Sequence, residues 1–165
     1  METQLIIDNQ AVAASGGATF DRIHPTTGEV VTRAAAGSVK DAETAVDSAQ
    51  IAFRTWSATG PTERRRILLK AADLLEARTP QFIEVMAKEV GASALWAGFN
   101  VMLAANLFRE AASLATQIQG ETIPTDKPGA LSMTVRQPVG VILSIAPWNG
   151  PVVLAARAIA YPIVC

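Results

Sequence analysis

The sequence has little of most of the side chains that carry chemistry. Among 165 residues there is one cysteine, Cys165, one histidine, His24, and one tyrosine. A single cysteine excludes an internal disulfide framework. With only one histidine beside it, no zinc ligand set and almost no Ser-His-Asp or Cys-His arrangement can be assembled. Charge of one sign is also missing. Fourteen basic residues against fifteen acidic ones leave a formal charge of −1, so a phosphate-binding surface for nucleic acid is not expected. G-x-G-x-x-G, G-x-x-x-x-G-K-[ST], H-E-x-x-H and Cys-x-x-Cys are all absent. The opening METQLIIDNQ has neither a basic stretch nor an apolar run of the secretory kind, and a cytoplasmic location is expected. No internal repeat or low-complexity tract stands out.

What is present is apolar. Half of the residues are hydrophobic and the mean hydropathy is +0.26, which suits a chain with a buried core. From Val141 to Cys165 the only charge is Arg157, and 25 residues are enough to span a bilayer. Pro147, Pro151, Pro162 and the pair Trp148-Asn149 oppose that reading. So does Arg157, since an arginine in mid-span costs roughly 2.5–3.5 kcal/mol. A buried strand, turn and helix account for the segment better, and no membrane partner is expected.

The first 35 residues read as strands and turns. Leu5-Ile6-Ile7, Asp8-Asn9 and Gln10-Ala11-Val12 predict a hairpin with a two-residue turn. His24 precedes Pro25 in a second turn, where a structural role is favoured over that of a base. Helices follow. Ser38 is the expected N-cap of one carrying Ala42, Ala45, Val46, Ala49, Ala52, Phe53 and Trp56 at helical spacing. Gly60-Pro61 opens another, with Ile67, Leu68, Ala71, Leu74 and Leu75 on one face. Its Arg64-Arg65-Arg66 run is read as a solvated face. Thr79-Pro80 caps a third, which Gly91 ends. A fourth, from about Ser93 to Gln119, is apolar on most faces and is expected to be buried. Thr122 to Arg136 reads as an extended ribbon. Val141 to Ile145 reads as a strand covered on both sides, and a helix from Val152 to about Ala160 should end near Pro162.

The turn Ser144-Ile-Ala-Pro-Trp-Asn-Gly-Pro151 is the informative place. In a parallel sheet it lies at the carboxyl end of a strand, where ligands bind, and it opens a helix with free N–H groups. Asn149 reads first as a helix N-cap and second as an amide donor able to hold an oxyanion. Trp148 reads as core on these grounds alone.

Ile145-Ala-Pro-Trp-Asn149 resembles the I-x-P-W-N motif of the aldehyde dehydrogenase superfamily. His24 to Val31 is similar to its N-P-x-T-G-E segment, with His24 in place of asparagine, and Gly60 to Arg66 is similar to its helix start. The resemblance runs in order along nearly the whole chain and is nearest to bacterial members that oxidise salicylaldehyde in naphthalene breakdown. It implies an α/β fold with a partial Rossmann-type NAD-binding domain. Residues 1–121 would belong to that domain, 122–136 to the first strand of an oligomerisation ribbon, and 137–165 to the start of the parallel sheet, cut short.

The resemblance also implies chemistry. A thiolate attacks the aldehyde, Asn149 holds the resulting oxyanion, hydride passes to NAD, and a glutamate-activated water releases the acid. Ile145, Ala146, Pro147 and Trp148 would lie beside NAD. Trp96, Gly150 and Arg157 would line the substrate tunnel, the glycine leaving room for an aryl ring and the arginine facing a phenolic hydroxyl. An ion pair is the other expectation for Arg157. Cys165 matches no catalytic motif and reads as a buried thiol, so the nucleophile and base are expected outside these residues. A dimer or tetramer of the full-length protein is implied. The reading from another class is a non-catalytic binding or assembly module with the same fold.

Overall fold

A computed structural model describes residues 1–165. The expected hairpin forms from β2 (Leu5–Ile7) and β3 (Gln10–Val12), paired antiparallel across Asp8 and Asn9. Both turn residues are left-handed, at φ 52° and 59°. That turn twists with the strands it joins, and Asp and Asn tolerate the conformation better than other residues with a Cβ. A three-stranded sheet of order β1-β5-β4 stands beside it, made of β1 (Glu2–Thr3), β4 (Thr19–Ile23) and β5 (Val30–Ala35). Between β4 and β5, His24 has the structural role expected of it. Its Nδ1 accepts the N–H groups of Thr26 and Thr27 at 3.2 and 3.3 Å.

Four helices follow: α1 (Val39–Trp56), α2 (Pro61–Ala77), α3 (Thr79–Val90) and α4 (Ala94–Leu114). Ser38 caps α1 reciprocally with Asp41. The serine hydroxyl accepts the Asp41 N–H at 3.2 Å, and the Asp41 carboxylate accepts the Ser38 N–H at 2.7 Å. The same carboxylate takes the Ser15 hydroxyl at 2.7 Å and the Ser15 N–H, which ties α1 to the β-region. The Ser15 hydroxyl, and after it the Ser38 N–H, hold this carboxyl well below the usual range. Gly91 ends α3 at φ 67°, where a Cβ would also come within 2.9 Å of Pro25, so the position demands glycine twice. Thr79 does not cap α3. It lies inside the helix, and its hydroxyl donates to the carbonyl of Glu76.

The core lies where α4 passes between α2 and α5 (Pro151–Val164). Ala104, Ala105, Ala111 and Ala112 meet Leu68 and Ala72 on one side and Ala156, Ala160 and Val164 on the other. Small side chains at the facing positions let the three helices approach closely. Outside, Arg109 joins α4 to Glu76 and Asp73 of α2.

Several expectations need correction. Burial of α4 covers one broad face only, since Leu95, Trp96, Phe99 and Met102 stay exposed, and the helix stops at Leu114 rather than near Gln119. No residue of α1 is buried, and Val46 on its apolar row is among the exposed ones. Val141 to Ile145 forms no strand, and its apolar side chains face solvent, because no neighbouring strand within residues 1–165 takes up its backbone. The ribbon is a hairpin, not one strand: β6 (Thr122–Ile123) pairs antiparallel with β7 (Ser132–Met133). The last helix does not stop at Pro162 but runs through it to Val164. Cys165 is exposed rather than buried. No helix is long and apolar enough to cross a membrane.

The largest correction concerns Arg64. It is buried, while Arg65 and Arg66 are exposed. Its guanidinium donates to five backbone carbonyls: Thr59 at 2.9 Å, Trp56 and Ser57 at 3.3 Å each, Val164 at 3.1 Å and Cys165 at 2.8 Å. It also sits over the Trp56 ring, whose own N–H donates to the Ile163 carbonyl at 3.0 Å. One cation thus closes the carboxyl ends of two helices, where unpaired carbonyls and the helix dipole both favour positive charge.

Candidate functional site

The candidate site is built where α5 begins. Residues 141–150 approach it without regular structure, and Ser144 pins that approach to the helix. Pro162 has no N–H with which to reach the carbonyl four residues back, that of Ala158, and the Ser144 hydroxyl donates to it instead at 3.1 Å. The proline expected to end the helix therefore frees an acceptor that anchors the segment bearing the candidate residues.

Ile145, Ala146, Pro147 and Trp148 are exposed, Ile145 at 85% and Trp148 at 76%. They form an apolar wall one step before the amino end of a helix. Trp148 is therefore not core within these residues. Asn149 follows, exposed, and its side-chain amide makes no hydrogen bond within the chain. The capping expectation for it fails, because Gly150 occupies the N-cap position and Pro151 the first helical one. Without a side-chain acceptor at the cap, the N–H groups of Val152 and Val153 find no partner in the chain. This leaves an amide donor and a pair of backbone donors at one helix terminus, an arrangement suited to anionic or carbonyl oxygen.

The expected tunnel residues divide. Gly150 is buried between α4 and α5, and a Cβ on it would lie 3.2 Å from Val153 Cγ1 and 3.4 Å from Asn100 Oδ1. Its lack of a side chain is thus required by packing as well as by any need for space. Trp96 is half-exposed on the first turn of α4 and stacks on Phe99, with ring centres 5.6 Å apart. Arg157 lies two turns along α5 from Gly150, exposed and without a carboxylate partner among these residues.

Asn100 joins Trp96 to Gly150 and was not anticipated. It is fully buried, donates from Nδ2 to the Trp96 carbonyl at 3.0 Å, and abuts Gly150 through Oδ1. A lone amide among Ala97, Val101 and Ala104 on an apolar helix face was the signal available for it. For Arg64 the signal was its place four residues after the Gly60-Pro61 break, facing back toward the end of α1.

Comparison with known proteins fits this geometry. The family model described as "Aldehyde dehydrogenase family" matches residues 12–165. Salicylaldehyde dehydrogenase from Pseudomonas putida is 67% identical over all 165 residues, and vanillin dehydrogenase from Pseudomonas fluorescens is 55% identical over the same span. The chain spans 34% of the length of each. Among solved structures, a salicylaldehyde dehydrogenase from Pseudomonas putida G7 complexed with salicylaldehyde superimposes with a TM-score of 0.98 at 65% identity, covering all of this chain and 34% of that one. The α/β architecture is the one these proteins share.

Proposed function

This chain belongs to the aldehyde dehydrogenase family, and we propose that it forms the amino-terminal third of an NAD-dependent enzyme that oxidises an aromatic aldehyde, salicylaldehyde or a near analogue, to its carboxylic acid. The observation that carries this reading is the 67% identity to salicylaldehyde dehydrogenases over all 165 residues.

In this reading Asn149 does the chemistry that these residues contribute. When a thiolate adds to the aldehyde carbon, the C=O π pair moves onto oxygen, and the Asn149 amide N–H₂ donates to that oxyanion. The amide makes no hydrogen bond within the chain, so no protein acceptor competes with the oxyanion for its donor. The thiol and the general base come from the remaining two-thirds of the protein. Cys165 follows Pro162-Ile-Val in an apolar run and takes no part.

The residues present fit a nicotinamide cofactor. Ile145 and Trp148 offer apolar surface to a flat ring, with Ala146 and Pro147 between them and unpaired backbone donors close behind. NAD supplies the hydride acceptor when bound. Trp96, stacked on Phe99, gives the aldehyde ring an aromatic wall, and the unpaired Arg157 guanidinium is free to meet a phenolic oxygen. The hairpin of β6 and β7, with Leu131 and Val135 exposed, serves to join copies of the protein as a dimer or tetramer. A cytoplasmic place in naphthalene breakdown completes the reading.

The test is NADH formation by the full-length protein with salicylaldehyde, benzaldehyde and vanillin. Turnover of aromatic aldehydes is expected, with salicylaldehyde preferred and the preference reduced in Arg157→Leu. Absence of NADH with all three aldehydes overturns the proposal.

A further inference from the structure

Asn100 presents a problem that the fold leaves open. It is fully buried, and its Nδ2 donates to the Trp96 carbonyl at 3.0 Å in the same helix, which fixes the amide's orientation and leaves Oδ1 as the free end. That oxygen has no partner. Buried acceptors without a donor are rare, because folding strips them of water and returns nothing. The oxygen lies 3.4 Å from the place a Cβ on Gly150 would take. At that point the chain has donors to spare: Gly150, Val152 and Val153 all have N–H groups with no partner, since neither the Gly150 cap nor Pro151 supplies an acceptor. Across one helix seam, an acceptor without a donor meets donors without an acceptor.

The geometry points to Asn100 as a positioning residue: its Oδ1, unpaired here, closes onto the free Gly150 N–H in the complete enzyme, capping the amino end of α5 from the neighbouring helix and holding the Asn149 turn in its working orientation, while the Val152 and Val153 N–H groups stay open to a ligand. Gly150 belongs to the same device, because a side chain there would crowd both Oδ1 and Val153. Asn100 touches no substrate in this arrangement. The inference rests on the oxyanion role proposed for Asn149.

The test uses the full-length enzyme and two variants without the acceptor, Asn100→Leu and the smaller Asn100→Ala, which cannot overpack the seam. Asn100→Asp, which keeps an acceptor, is the conservative control. Without the acceptor, kcat should fall about tenfold while KM stays within about twofold, as expected when a transition-state donor is displaced. Asn100→Asp should retain the larger share of kcat. In the Asn100→Ala background, Asn149→Ala should cost much less than it does alone, since residues acting as a unit are not additive. Independent, additive losses overturn the proposal. Backbone amide exchange supplies a readout apart from activity. It should quicken over residues 149–154 in Asn100→Ala while residues 101–112 keep their protection, and unchanged exchange over 149–154 overturns the cap. Normal turnover in Asn149→Ala alone would sink the oxyanion role, and exchange at 149–154 would then decide the cap by itself.

Discussion

Two apolar stretches of this chain meet opposite fates. The long helix Ala94–Leu114 packs Ala104, Ala105, Ala111 and Ala112 against α2 and α5. Val141 to Ile145, just as apolar, lies extended with Leu143 84% exposed. Hydrophobicity does not separate them. A helix satisfies its backbone within itself, so it needs only a surface to lie on, and the chain provides two. An extended segment carries unpaired N–H and C=O groups on both edges and needs strands on either side before burial is affordable. The contrast extends to the turn at Asn149. Its donors stand free next to a helix core that is nearly complete, apart from the unpaired Oδ1 of Asn100. The packed part of the molecule supports the part proposed to react.

The sharpest test of that division is Asn149→Ala in the full-length protein. It should lower kcat by about 10²–10³ with the helical core intact, which kinetics and circular dichroism would read together. Arg64→Met attacks the packed part instead. It strands five carbonyls at the ends of α1 and α5 and should lower unfolding free energy by about 2–3 kcal/mol in denaturant titration. Equal loss from the exposed Arg65→Met would refute the assignment of the clamp to Arg64. Ala104→Leu forces extra methylenes into the seam between helices and should cost about 1–3 kcal/mol. Leu143→Ser, on the exposed stretch, should change the stability of the 165-residue chain by less than about 0.5 kcal/mol. A larger change would mean that Val141 to Ile145 is packed after all.

The smallest effect is a dependence on pH. The Asp41 carboxyl is held below its ordinary range by Ser15 and Ser38, so its contribution is present above that range and is lost progressively as pH falls below it toward the lowered value. Wild type should lose stability on acidification more steeply than Asp41→Asn, as seen in thermal melts across pH 2 to 6. Parallel slopes would remove Asp41 from the account.

Features that depend on a few neighbouring residues were legible in the sequence. The Asp8-Asn9 turn, the Ser38 cap, the Gly91 stop and the structural histidine all rest on contacts within about four residues, and the local pattern carries the whole cause. The turn before α5 was legible too, because Pro147, Gly150 and Pro151 fall together there and leave no room for a continuous strand or helix. Spacing alone reads Asn149 as a cap and family resemblance reads it as a donor; the fold puts Gly150 at the cap and leaves the Asn149 amide free.

Other properties were decided only by tertiary structure. Three adjacent arginines look alike in sequence, yet one is buried, because the ends of α1 and α5 converge on that position from eight residues away on one side and a hundred on the other. Pro162 reads as a helix end until Ser144 takes the carbonyl it frees. Asn100 reads as a filler amide until Gly150 comes to lie against it. In each case the partner is distant along the chain. A hydrogen bond or a buried charge is settled by what arrives in space, whereas a turn or a cap is settled by what comes next in sequence.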